Sequence, residues 1–145
     1  MLRRLDTGTI EEAIRRAELR TSGEIRVSVA GFFRGDASHL ADRAFDRLGM
    51  TATRDHNAVL ILIMPTRRQV VIRADVGIHD QAGESFWLAV AQALSRRFGG
   101  QEFTAGVVEA IDRIGAELAN HFPPDPGGDV NELTNSVDVA GRRGP

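Results

Sequence analysis

The sequence predicts a three-layer α/β sandwich around a small mixed sheet, and three observations carry that expectation. Helical and strand periodicities alternate from Thr9 to Leu118, as they do where helices pack on the faces of a sheet. The run NAVLILIM, residues 57–64, is apolar and of strand length, which suits a central strand covered on both faces. Between Glu24 and Met64 a strand, a helix and that apolar strand follow in order, the arrangement of a right-handed crossover between parallel strands.

The first helix is expected from Thr9 to Arg20. Ile10, Ala13, Ile14 and Ala17 recur at helical spacing, and Thr9 with Glu12 has the form of a capping box. EIRVSVA, residues 24–30, alternates strictly, with Ile25, Val27 and Val29 on one face, and reads as a half-buried strand. Asp36 stands where a second helix needs its cap. Apolar positions 37, 40, 41, 44, 45 and 48 share a face of that helix, and Gly49 ends it. After the central strand, PTRR makes a tight turn and QVVIRA, residues 69–74, returns as the partner of a hairpin. Phe86, Trp87, Val90, Ala91, Leu94 and Phe98 mark the core face of a long helix that stops at Gly99-Gly100. Val107, Val108, Ile111, Ile114 and Leu118 mark a fourth helix. Residues 1–122 are therefore read as one α/β domain. Residues 123–145 are read as a Pro/Gly-rich extension, partly ordered, packing from Phe122 to about Leu133 and then fraying.

Composition narrows the function. The net charge is −2 and the arginines are dispersed, so no electrostatic footprint for nucleic acid exists. The lack of cysteine excludes disulfides, thiolate catalysis and cysteine-bound zinc or iron–sulfur centres. No segment approaches the roughly 20 apolar residues of a membrane helix, and the start has no signal-peptide run. A cytoplasmic protein with no transmembrane segment in this chain is expected. P-loop, G-x-G-x-x-G and G-x-S-x-G patterns are all missing.

The crossover has a chemical consequence. Parallel strands joined by a helix begin on the same edge of the sheet, and the third strand, antiparallel to the second, ends there. Glu24 begins the first strand, Asp55 and Asn57 precede the second, and Asp75 ends the third. Thr21 and Ser22 add hydroxyls beside Glu24, and Asp80 and Glu84 follow at the head of the long helix. Oxygen donors without thiolate suit a hard cation, Ca²⁺ or Mg²⁺. Carboxylates crowded on one edge repel one another unless a cation neutralises them. The same residues also have structural roles open to them: Asp75 and Asp80 as helix caps, Asp55 and Asn57 in a turn, Glu24 in an ion pair with Arg54 or Arg73. The DHN triplet at 55–57 lacks the glycine and late glutamate of an EF-hand. Of the four histidines, His56 and His79 fall near this edge and could serve as general acids, while His39 and His121 lie elsewhere. Phe86 and Trp87 are expected to face the core, and MPTRRQ to be a polar hairpin tip.

RTSGEIRV, LGMTATRDHNAVLILI, VGIHDQAGESFW and HFPPDPGGDVNEL, in this order, resemble the TPM domain family. The family takes its name from the thylakoid lumen, photosystem repair and acetylcholine-receptor modulator proteins that share the domain. The resemblance covers residues 8 to 135. It implies a Rossmann-like α/β/α sandwich with an acidic rim that binds Ca²⁺ in several members, and it places the metal ligands at Glu24, Asp55, Asn57 and Asp75. Ser22, Arg54, His56, His79, Asp80 and Glu84 are further rim contributors. Asn131 and Glu132 lie in a tail motif similar to that of stand-alone bacterial members. Where such relatives often read GDRGIH, this chain reads ADVGIH, so a function that uses that arginine is not implied.

The functional expectation is a domain that binds Ca²⁺, or Mg²⁺, and acts as an interaction or protein-maintenance module without strong catalysis. A protein partner, membrane-associated ones included, fits this reading. The alternative is a metal-assisted acid phosphatase acting on phosphomonoesters, an activity attributed to a plant member of the family. Such an enzyme needs an open coordination position and a basic group for the phosphate. Arg54 is the arginine that the sequence places nearest the rim, and no catalytic nucleophile stands out.

Overall fold

The computed structural model describes residues 5–31, 34–124 and 134–140. Among these residues five helices and four strands succeed one another as α1 (Thr7–Glu18), β1 (Glu24–Ala30), α2 (Ala37–Arg47), β2 (Ala58–Met64), β3 (Gln69–Ala74), α3 (Val76–Ala82), α4 (Glu84–Gly99), α5 (Phe103–His121) and β4 (Asp138–Ala140). A 3-10 turn, Met50–Ala52, leads from α2 towards β2.

The expected crossover is present: β1 and β2 are parallel, with Glu24 opposite Ala58 and Val29 opposite Ile63. β3 returns antiparallel to β2, so that Ala74 faces Val59 and Gln69 faces Met64. The sheet order is β3-β2-β1-β4. Alternation of side chains then sorts the two faces. Ile25, Val27, Val29, Val59, Ile61 and Ile63 meet α1, α4 and α5 in the main core. Leu60, Leu62 and Met64 point the other way, against apolar residues of α2 and the 3-10 turn. Every residue of β2 is buried, as a strand with covered faces and two neighbours must be. Each such isoleucine or leucine removed from water contributes about 1.5–3 kcal/mol.

Four features depart from the sequence reading. α1 begins earlier than Thr9, because Asp6 rather than Thr9 is its cap; the Asp6 carboxylate accepts from the Thr9 N–H at 3.1 Å. The cap of α2 is Asp36, as expected, accepting from Ser38 N–H at 2.8 Å, and Gly49 takes the left-handed conformation that ends the helical path. The stretch 76–82, whose Asp80 was expected at the head of the long helix, is a helix of its own, and Gly83 at φ 87° separates it from α4. β1 is buried along its whole length rather than half-buried, its polar residues included.

The fourth departure explains the third. Residues 134–140, expected to fray, include β4, which pairs in parallel with β1 so that Ser28 faces Asp138 and Ala30 faces Ala140. The earlier part of the expected packed tail, residues 125–133 with Asn131 and Glu132, lies outside the described residues. Charge holds β4 in place. Arg47 of α2 donates to both Asp138 oxygens, at 3.2 and 2.8 Å, and the Ser28 hydroxyl donates to Asp138 at 2.9 Å. Buried Arg26 donates to the Ser136 carbonyl at 3.2 Å, and Glu11 accepts from the Val137 N–H at 2.9 Å. Alternation put polar side chains on this face of β1, and the tail supplies partners for them.

Burial works against ionisation of Asp138. The hydrogen bonds from Arg47 and Ser28 and the positive charges of Arg47 and Arg26 outweigh it, and the carboxyl is held below the usual range. A folded value below the unfolded one stabilises the native state at neutral pH, and the contribution is lost as pH falls below about 4. Amide-exchange protection of residues 138–140 should therefore hold at neutral pH and fall in acid before global unfolding. Asp138→Ala should cost about 1–3 kcal/mol in urea denaturation, the worth of hydrogen bonds to a charged group.

Candidate metal-binding rim

Backbone hydrogen bonds bring the predicted residues to one edge of the sheet. The Asp75 N–H donates to the Ala58 carbonyl at 2.9 Å, and the Glu24 N–H to the Asn57 carbonyl at 3.4 Å. The end of β3 and the start of β1 thus meet on the two sides of residues 57–58. α3 is pressed onto the same segment, with the Gly77 N–H donating to the His56 carbonyl at 2.7 Å. A Cβ at Gly77 would lie 2.2 Å from the Asp55 carbonyl oxygen and 2.5 Å from that of His56, so the contact admits only glycine. His56 itself sits at φ 50°, a conformation that costs an L-residue about 1–2 kcal/mol and is found at functional sites more than elsewhere.

The side chains divide into two groups. Glu24 keeps 2%, Asn57 1% and Asp75 8% of its surface exposed, and Ser22 is equally withdrawn. Asn57 donates through its amide nitrogen to the Ser22 hydroxyl at 3.4 Å, while its Oδ1 is buried with no partner among the described residues. Asp75 has a double role: one oxygen accepts from the Val76 N–H at 2.8 Å as the cap of α3, and the other faces His56 Nδ1 at 3.3 Å. Asp55 stands further out, bound to the exposed Arg54 at 3.3 Å. Arg73 serves the opposite face, binding Asp42 at 2.8 Å and the Ser38 hydroxyl at 3.0 Å.

His79, Asp80 and Glu84 are positioned by α3 and α4. His79 pairs with the highly exposed Asp80 at 3.0 Å, and its ring lies nearly parallel to that of Trp87. His79 and Glu84 line a groove with Ile72, Trp87, Leu88 and Ala91. Phe86 and Trp87 are only partly buried against the core. His56 and His79 thus take separate carboxylate partners.

Sequence reading missed two polar groups at this edge. The Thr53 hydroxyl is buried without a partner among the described residues, and the Thr53 carbonyl accepts from the His56 N–H. Glu18, buried at the end of α1, accepts from the Ile25 N–H at 2.9 Å, on the side of β1 away from β2, where no described strand pairs at this level. Glu18 sits on the α1 face that carries Ile14 and Ala17, and that placement was its one signal. Among the described residues, no three Asp, Glu or His side chains form a ready-made metal cluster. What the rim offers is two buried carboxylates, one buried amide oxygen and an outer carboxylate held by arginine.

The TPM domain family matches residues 1–117. The chain is similar to the BA42 protein of the psychrophilic bacterium Bizionia argentinensis, solved by NMR, at 33% identity and a TM-score of 0.86; the match covers 97% of this chain and 94% of that one. It also shares its fold with the N-terminal domain of the Corynebacterium glutamicum protein cg2496, at 14% identity and a TM-score of 0.60 over 95% of this chain and 80% of that one. No curated protein matches.

The Gly77 contact gives a direct test. Gly77→Ala drives a methyl group into two carbonyl oxygens and should cost about 3 kcal/mol or more, at the upper end of overpacking penalties. Gly83→Ala meets no neighbouring atom and strains only its own backbone. Urea denaturation of the two variants should rank Gly77→Ala as the more damaging.

Proposed function

The chain belongs to the TPM domain family, and on that footing we propose that it is a divalent-cation-binding module whose Ca²⁺ site is the rim of Glu24, Asn57 and Asp75 with Asp55 at its mouth. The observation that carries this reading is the Asn57 Oδ1, buried without a hydrogen bond among the described residues, on an edge that also buries two carboxylates. An orphaned buried acceptor costs about 1–3 kcal/mol, and a cation bound there offsets that cost. The donor set is all oxygen, which suits Ca²⁺ and, with tighter geometry, Mg²⁺. Asp55 joins by giving up Arg54, an exposed ion pair of the kind worth about 0–1 kcal/mol. A bound cation would neutralise the rim and tie the start of β1, the 55–57 loop and the end of β3 together.

The module acts by binding rather than by strong catalysis, and an interaction or protein-maintenance role follows. The Ser22 hydroxyl contacts the Asn57 amide rather than a base. His56 beside Asp75 is the one feature that favours the second reading, a metal-assisted acid phosphatase, because it could shuttle a proton at the rim.

Millimolar Ca²⁺ should raise the thermal stability of the full chain, by about 2.7 kcal/mol at a hundredfold excess over Kd. Asp75→Asn should abolish most of that increment while keeping α3, because asparagine caps a helix about as well as aspartate. A melting temperature indifferent to both Ca²⁺ and Mg²⁺ would remove the metal reading. Hydrolysis of a generic phosphomonoester should be negligible and insensitive to Asp75→Asn. Robust turnover lost in that variant, with the fold intact, would make the chain an enzyme.

A further inference from the structure

Among the described residues β3 is the last strand on its side of the sheet, and no described strand pairs with its outer edge. The Asp75 N–H bonds to Ala58, so in the antiparallel alternation residues 71 and 73 also face β2. Val70, Ile72 and Ala74 therefore turn their N–H and C=O groups outward, where no described strand receives them. Natural edge strands are guarded by proline, a bulge or a charge in mid-strand. Val70-Val71-Ile72 has none of these, and the nearby Arg73 guanidinium is turned to the α2 face, on Asp42. Alongside this edge runs the groove of about 330 Å³ lined by Ile72, Trp87, Leu88 and Ala91, where Leu88 is 57% exposed.

Charge along the edge is polarised. Arg67 and Arg68 stand at the hairpin end of β3, while Asp80 and Glu84 stand beyond its other end, on α3 and α4. A strand running antiparallel to β3 meets complementary charge at both ends only if it is basic at its start and acidic past its finish. β3 of a second copy has that polarity. We propose that the open edge of β3 is the contact surface for a second copy of this chain, pairing antiparallel about a two-fold axis near Ile72. In that register Val70 of one copy faces Ala74 of the other, the two Ile72 residues face each other, and each copy's Arg68 reaches the other's α3 end. The two grooves close over each other's edge, covering Leu88. Such an interface is self-complementary, as two-fold symmetry demands. It does not rest on the metal reading.

Sedimentation velocity of the full chain over a wide concentration range tests this, with amide exchange measured in parallel. A reversible dimer weakened by salt is expected, with the Ile72 amide better protected at high concentration than at low. Arg68→Glu and Leu88→Arg each change surface residues twice per dimer and should weaken it about tenfold without altering the melting temperature of the dilute protein. The Arg67→Glu/Arg68→Glu chain and the Asp80→Lys/Glu84→Lys chain should each stay monomeric alone, yet pair when mixed, since an edge acidic at both ends then meets one basic at both ends; the chain carrying all four changes should dimerise again by itself. A chain that stays monomeric at every concentration overturns the proposal. So does a dimer that forms without protecting Ile72, and so does protection of β3 seen only with a foreign peptide.

Discussion

Residues 55–58 are the point on which the rest of this structure depends. Four backbone groups converge there: the Glu24 N–H on Asn57, the Asp75 N–H on Ala58, and the Gly77 N–H on His56, which is itself held by Thr53. These bonds fix where β1 starts, where β3 ends and how α3 lies across both. The price is local strain, a histidine with positive φ and a contact that only glycine can make. The backbones of the rim residues are tied to one another before any ligand acts on them.

The sheet faces different demands on its two sides. Towards α1, α4 and α5 it presents isoleucine and valine, and packing alone suffices. On the other face β1 presents Glu24, Arg26 and Ser28, all buried. Buried polar groups need partners, and two come from far away in the sequence: Asp138 and the Ser136 carbonyl, both from the tail. The short β4 is therefore better understood as the partner of a polar strand face than as a hydrophobic element. Its anchoring arginine, Arg47, comes from α2, so helix, strand and tail are linked through a single carboxylate.

The candidate site lies at the starts of the parallel strands. Open α/β sheets commonly bind ligands beyond the carboxyl ends of their strands, where helix amino termini gather. Here the antiparallel β3 changes the arrangement, delivering Asp75 and the start of α3 to the opposite edge. The side chains gathered there include two buried carboxylates and a buried amide.

Much of this was legible in the sequence, because it is set by local rules. Apolar periodicity located the helices and strands, the crossover rule made β1 and β2 parallel, and the short PTRR turn made β3 antiparallel. Those facts alone put Glu24, Asn57 and Asp75 on one edge. Asp36 as a cap was equally local. What depended on contacts far apart in sequence was not legible. That Asp75, besides capping a helix, faces His56, that β1 is buried on its polar face, and that residues 138–140 form a strand all require partners distant along the chain. The separation of His79 and Glu84 into a groove with Trp87 likewise follows from the turn at Gly83 and the packing of α4. Sequence periodicity records which face of an element is apolar, but a polar residue looks the same whether water or a remote arginine completes it, and only the tertiary structure decides which.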